Sequence, residues 1–96
     1  TSRGKHRWIL LMFQGEYNKN SLNHQISSCL NGRSWKLYDL QYHNSNSYGI
    51  IKVKLNEYKE IIRKINENEN SSTISSSGKI RLIRRRYEII KLNNQD

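Results

Sequence analysis

The sequence predicts an α+β domain with elements in the order β-α-β-β-α-β. Three observations carry this: an apolar run of strand length near the start, two segments of helical periodicity, and between them two aromatic-rich extended segments joined by a polar turn. The simplest packing of that order is a four-stranded antiparallel sheet with two helices on one face. At 96 residues the chain, 1–96, is read as a single domain with room for one core, near the lower size at which a core holds without disulfides or metal.

The first strand is Trp8 to Phe13, entered through a basic arm, residues 1–7, and closed by Gly15. Both of its faces are apolar, which is how a central strand reads. Leu22, Ile26, Cys29 and Leu30 then recur at helical spacing, with Ser21 as the expected N-cap and Asn31-Gly32 as the stop, giving a helix over about 21–31. Trp35 to His43 alternates imperfectly and reads as a strand near an edge. Asn44-Ser45-Asn46-Ser47 is a turn, and Tyr48 to Lys54 returns as the second arm of a hairpin.

Leu55, Tyr58, Ile61, Ile62 and Ile65 form the stripe of a second helix, with Glu60 and Lys64 placed as a solvated i, i+4 pair. The Ser- and Asn-rich stretch at about 66–78 predicts a mobile loop. Lys79 to Leu92 mixes basic and apolar residues and is read as a long last strand, a basic amphipathic helix being the alternative that the same pattern fits. The whole is a ferredoxin-like, RRM-like arrangement.

Seventeen Lys and Arg against eight Asp and Glu leave a net charge of +9 and a pI near 9.9. That balance points to a partner rich in phosphate. A membrane fits less well, because the longest apolar run is too short to cross a bilayer and the clearest amphipathic helix carries mixed charge. One cysteine, Cys29, excludes an internal disulfide and a cysteine-based zinc finger, and its spacing with Leu22 and Ile26 makes it a core residue. No signal peptide is visible; since the chain opens on Thr1 rather than Met, a preceding addressing segment is left open.

The basic residues gather at the two ends of the chain. Arg3, Lys5 and Arg7 open it, and Lys79, Arg81, Arg84, Arg85, Arg86 and Lys91 close it. In the expected sheet the first and last strands are neighbours, so the two groups merge into one patch suited to phosphate oxygens. Tyr48, Lys52 and Lys54 share one face of the third strand while Ile51 and Val53 face the helices. These twelve residues are the candidate RNA contacts. The strand itself, Ser-Tyr-Gly-Ile-Ile-Lys-Val-Lys, lacks the paired aromatics of the RNA-recognition-motif signature, so a standard base-stacking platform is not expected and Tyr48 reads equally well as packing.

Nothing in the chain reads as catalytic. His6, His24 and His43 form no metal-ligand spacing, and Glu57, Glu60, Glu67 and Glu69 lie on or after the second helix where alternating charge means a solvated face. There is no glycine-rich phosphate loop and no Gly-x-Ser-x-Gly elbow. An acylphosphatase-like enzyme of this fold needs an Arg after the first strand, and Gln14-Gly15-Glu16-Tyr17 has none. The expectation is a protein without catalytic residues, metal, cofactor or small-molecule substrate of its own.

Three stretches resemble a known family, the small ferredoxin-like subunit of ribonuclease P and RNase MRP that is the fifth of the processing-of-precursor (POP) proteins. Gly4-Lys5-His6-Arg7-Trp8-Ile9-Leu10-Leu11 is similar to the family's basic start and Arg-Tyr-hydrophobic strand, with Trp8 in place of Tyr. Leu40 to Asn44 and Tyr48 to Val53 resemble its Tyr-x-Asn…Gly-Ile hairpin, and Glu57-Tyr58 its acidic-aromatic helix opening. Ser77-Gly78-Lys79-Ile80-Arg81 looks like the Ser-Gly-Thr-Ile-Arg-Lys stretch that finishes the family's last strand, but this register leaves little strand before it. A second register matches Ile80 to Arg84 to the strand itself and loses the Ser-Gly motif.

The resemblance implies a subunit that braces a catalytic RNA in tRNA 5′-leader removal or pre-rRNA processing. Magnesium would belong to the RNA, the neighbours would be structured RNA and other protein subunits, and the compartment would be the nucleus or nucleolus. A ribosomal or mitochondrial-ribosomal protein, placed in the mitochondrion or on the cytoplasmic ribosome, and a protein-interaction module are the alternatives.

Overall fold

β1 (His6–Gln14) lies inside the sheet, hydrogen-bonded on one side to β3 (Asn46–Lys54) and on the other to β4 (Ser71–Ser77), both antiparallel. β2 (Trp35–His43) pairs antiparallel with β3 and completes the order β2-β3-β1-β4. This is the strand order of a ferredoxin-like sheet in a computed structural model that describes residues 5–93. The two-faced apolar run explains the central place of β1. Ile9, Leu11 and Phe13 join one core with Ile51 and Val53, while Trp8, Leu10 and Met12 join a second core with Tyr48 and Ile50.

The first core is covered by α1 (Lys19–Cys29) and α2 (Tyr58–Glu67), which contribute Leu22 and Ile26, and Ile61 and Ile65, all fully buried. The cap of α1 is Asn18 rather than Ser21: its Oδ1 accepts from the Ser21 amide at 2.8 Å, so the helix begins earlier than its apolar spacing shows. The predicted stop holds, with Gly32 at φ +82°. Cys29 packs beside this core as expected, and its Sγ accepts from Asn68 Nδ2 at 3.1 Å.

A single 3-10 turn, Leu55–Glu57, leads into α2. Glu60 does not make the expected pair with Lys64. It reaches Arg33 at 2.6 Å and Arg63 at 3.5 Å instead, tying the helix to the segment after α1. The hairpin turn is tighter than its four polar residues suggest. Only Asn44 and Ser45 lie outside the strands, both at positive φ (52° and 66°), the handedness that matches the twist of the flanking strands. Ser47 belongs to β3, fully buried, and its hydroxyl donates to the Gly15 carbonyl at 2.7 Å while accepting from the Tyr17 amide at 2.9 Å. Gly49 lets Leu22 and Leu37 close over β3, since a Cβ there would stand 3.3 Å and 3.2 Å from their methyl groups.

The end of the chain departs from its sequence reading in two linked ways. The stretch at 66–78 is not a loop throughout, because residues 71–77 form β4, and Lys79 to Leu92 is not a strand, because Ile80–Asn93 form α3. β4 is an edge strand held by side chains: Ser71 Oγ donates to the Ile65 carbonyl at 2.8 Å, and Asn66 Oδ1 accepts from the Thr73 amide at 2.8 Å. α3 follows the amphipathic alternative, placing Ile80, Ile83, Tyr87 and Ile90 against the second core. The sheet is therefore covered on both faces, with two helices on one and a third helix on the other.

Candidate nucleic-acid interface

β1 and β4 bring the two basic ends of the sequence together. Trp8 stands opposite Ser77, and the Arg7 guanidinium lies 3.9 Å from where a Cβ on Gly78 would be. Lys5, His6 and Lys54 line one groove of about 470 Å³ at this end of the sheet, and His6 is the register partner of Lys54. Lys79, Arg81 and Arg85 line another of about 450 Å³ where α3 begins. The side chains of Lys5, Lys54, Lys79, Arg81 and Arg85 are exposed, and none is in an ion pair among the described residues.

Of the other candidate residues, Arg7, Arg84, Arg86 and Lys91 are held by the fold. Arg3 lies outside the described residues. Arg7 stacks its guanidinium over the Tyr58 ring at 4.7 Å, with its Nε buried and without a hydrogen-bond partner among the described residues. Arg84 makes a forked contact with Asp39 on β2, Nε to Oδ2 at 2.8 Å and Nη2 to Oδ1 at 3.2 Å. That carboxylate holds the guanidinium pKa above its ordinary value, first through the hydrogen bond and then through charge. Arg86 turns to the opposite flank and donates to Ser75 Oγ and the Ser76 carbonyl on β4. Lys91 stands 3.8 Å from Glu88 and 5.5 Å from the centroid of Tyr87.

Tyr48 takes its packing role. It points away from the face of Ile51 and Val53, as the alternation predicts, but that side is roofed by α3. Only 5% of Tyr48 is exposed, and its ring centroid lies 5.3 Å from that of Tyr87. Tyr87 is equally buried, and its hydroxyl has no hydrogen-bond partner among the described residues. Burial, then the neighbouring Tyr48 and Glu88, raise its pKa above the ordinary tyrosine value. A cavity of about 220 Å³ beside it is lined by Gln41, Tyr48, Ile50 and Glu88, with the Arg84–Asp39 pair at its side.

Helical geometry sorts the basic residues of α3 into roles that the sequence reading treated alike. With Ile83 and Tyr87 facing the sheet, Arg84 and Arg86 fall on the two flanks, and Arg81 and Arg85, one turn apart, fall on the outer side. Leu82, Ile89 and Leu92 share the outward side and are 39%, 51% and 67% exposed. Sequence reasoning did not single out Trp8, Lys36 and Tyr38 as a group, and they gather with Lys52 at the end of the α3 face where β1 begins. The signal available was the density of aromatic residues in β1 and β2.

Among the described residues no three His, Cys, Asp or Glu side chains are grouped to hold a metal ion, and no helix is long and apolar enough to cross a membrane. Comparison of the chain with protein-family models, curated proteins and solved structures finds no match.

Proposed function

We propose that this protein is a non-catalytic RNA-binding subunit of a ribonuclease P or RNase MRP ribonucleoprotein, bracing the RNA that carries out tRNA 5′-leader removal or pre-rRNA cleavage. The observation that carries the RNA-binding part is two grooves lined by exposed cations, Lys5 and Lys54 where β1 begins and Lys79, Arg81 and Arg85 where α3 begins. Charges of one sign without a carboxylate partner among the described residues repel one another, and a phosphate backbone relieves that repulsion.

The specific assignment rests on the POP-family resemblance. The point that the resemblance leaves open is the last strand, where the Ser77-Gly78-Lys79-Ile80-Arg81 register needs a strand before it. β4 occupies 71–77 and ends on Ser77, which supplies a strand before that stretch, while Ile80 and Arg81, common to both registers, are helical. The exposed Leu82, Ile89 and Leu92 on α3 form the kind of apolar stripe that a neighbouring protein subunit covers.

The test is to purify the tagged protein from its native source at moderate salt and sequence the RNA that accompanies it. An RNase P or MRP RNA is expected. Ribosomal RNA alone would move the protein to the ribosome, and no RNA would make it a protein-interaction module. With the recovered RNA in hand, Arg81→Ala together with Arg85→Ala should flatten the dependence of log affinity on log salt by roughly 0.9 for each phosphate that is no longer neutralised.

A further inference from the structure

α3 does not roof the whole of its side of the sheet. At the end where β1 begins, that face carries Trp8 on β1, Lys52 on β3 and Lys36 on β2 in one cross-strand row, Trp8 opposite Lys52 and Lys52 opposite Lys36. The register of β2 shifts between Leu37 and Asp39, and the extra residue at this bulge is Tyr38. Its ring stands nearly perpendicular to that of Trp8, at 76°, with centroids 4.7 Å apart.

Two rings set edge to face make a corner, and here the corner is edged with cations. Lys52 Nζ lies 5.5 Å from the Trp8 centroid and Lys36 Nζ 5.5 Å from that of Tyr38. Tyr38 remains 41% exposed. A groove of about 330 Å³ beside it is lined by His6, Lys36, Lys52 and Lys54 as well as Tyr38, with no carboxylate among the described residues of the lining. Lysine is depleted at the centre of protein interfaces, so this composition argues against a protein docking there. Aromatic faces interleaved with lysines suit a flexible strand whose bases stack while its phosphates seek charge.

We propose that this corner is a stacking site for an unpaired base of single-stranded RNA. Tyr38 is the exposed platform, Trp8 the wall that holds its ring, and Lys36, Lys52 and Lys54 the contacts for the flanking phosphates. The inference rests on the RNA-binding reading above and deepens it, adding a single-strand site to a surface otherwise suited to backbone contact.

The test uses the full chain and a fluorescently labelled oligouridine, read by anisotropy, beside a structured RNA hairpin. Tyr38→Ala should weaken oligouridine binding about five- to a hundredfold, the range for losing one base–aromatic stack, and Tyr38→Phe should retain it. Lys36→Ala with Lys52→Ala should lower the salt slope by roughly 0.7 for each phosphate that these lysines neutralise. A surface cluster that merely stabilises the sheet predicts otherwise: Tyr38→Ala would lower the melting temperature and leave oligouridine affinity unchanged, which overturns the proposal. If that happens while Arg81→Ala with Arg85→Ala still weakens hairpin binding, the stacking site falls and the RNA-binding reading stands. Failure of the unaltered protein to bind either RNA takes both down.

Discussion

The two faces of the sheet are built on different terms. Under α1 and α2 the core is mostly aliphatic, with Ile9, Leu11, Leu22, Ile26, Ile51, Ile61 and Ile65 all inaccessible to solvent. Under α3 it is smaller, centred on Leu10, Ile50, Ile83 and the Tyr48–Tyr87 pair, flanked by an exposed ion pair and holding a hydroxyl without a partner among the described residues. A large dry core makes the elements around it cooperative. A small one edged with polar contacts makes its helix separable from the rest, with a local opening free energy below the global one.

The strongest way to break that contrast is to cut into each core by the same chemistry. Ile61→Ala empties a site with 0% exposure and should cost roughly 2–5 kcal/mol, seen in urea denaturation as one transition shared by every probe. Ile83→Ala removes the same atoms from α3, also at 0% exposure. Here the loss should lie near the lower end, about 2 kcal/mol, because undocking the helix limits what can be lost. Amide exchange tells the two apart: the Ile83 variant should accelerate exchange in α3 while β1 and β3 keep their protection. Equal loss of protection throughout would show a single cooperative unit.

This contrast also explains what could be read from the sequence. β1, the hairpin and α2 were legible because apolar side chains mark their buried faces. β4 was not, because Ser71–Ser77 contains one large apolar residue, Ile74, and it is exposed; serines and Asn66 supply the strand's anchors through hydrogen bonds, which hydrophobic periodicity does not register. α3 was ambiguous because Ile80 and Leu82 imitate the alternation of a strand, yet Leu82 faces outward and Ile83 and Tyr87 face the sheet. Of the candidate contacts, the exposed Lys5, Lys54, Lys79, Arg81 and Arg85 were visible as charge. That Tyr48 is roofed and Arg84 engaged depends on where α3 crosses, and the position of Tyr38 depends on a bulge, neither of which leaves a local mark in the chain.

A smaller probe of the α3 face is pH. The pKa of Tyr87 is higher in the folded protein than the ordinary value of 10.0, so the folded state keeps the phenol proton when the unfolded chain has released it. The contribution is therefore fully present below pH 10.0 and is lost as pH rises through the folded value. Melting curves taken upward from neutral pH should show a steeper alkaline loss of stability in the unaltered protein than in Tyr87→Phe. Parallel curves would mean that the hydroxyl meets water freely.

The smallest expected effect is the Arg84–Asp39 pair, and it sharpens the comparison most finely because it joins the separable helix to the edge strand. The Arg84 side chain is 53% exposed, so solvent and salt screen the pair, and a double-mutant cycle with Arg84→Ala and Asp39→Ala should return a coupling smaller than either core effect above. Its value lies in what it does to charge rather than to stability. Asp39 already neutralises Arg84, whereas Arg85 beside it has no carboxylate partner among the described residues. Arg85→Ala should therefore flatten the salt dependence of RNA binding while Arg84→Ala leaves it nearly unchanged. Equal effects from the two neighbours would mean that the pair opens on the RNA and that α3 shifts from its place on the sheet when the complex forms.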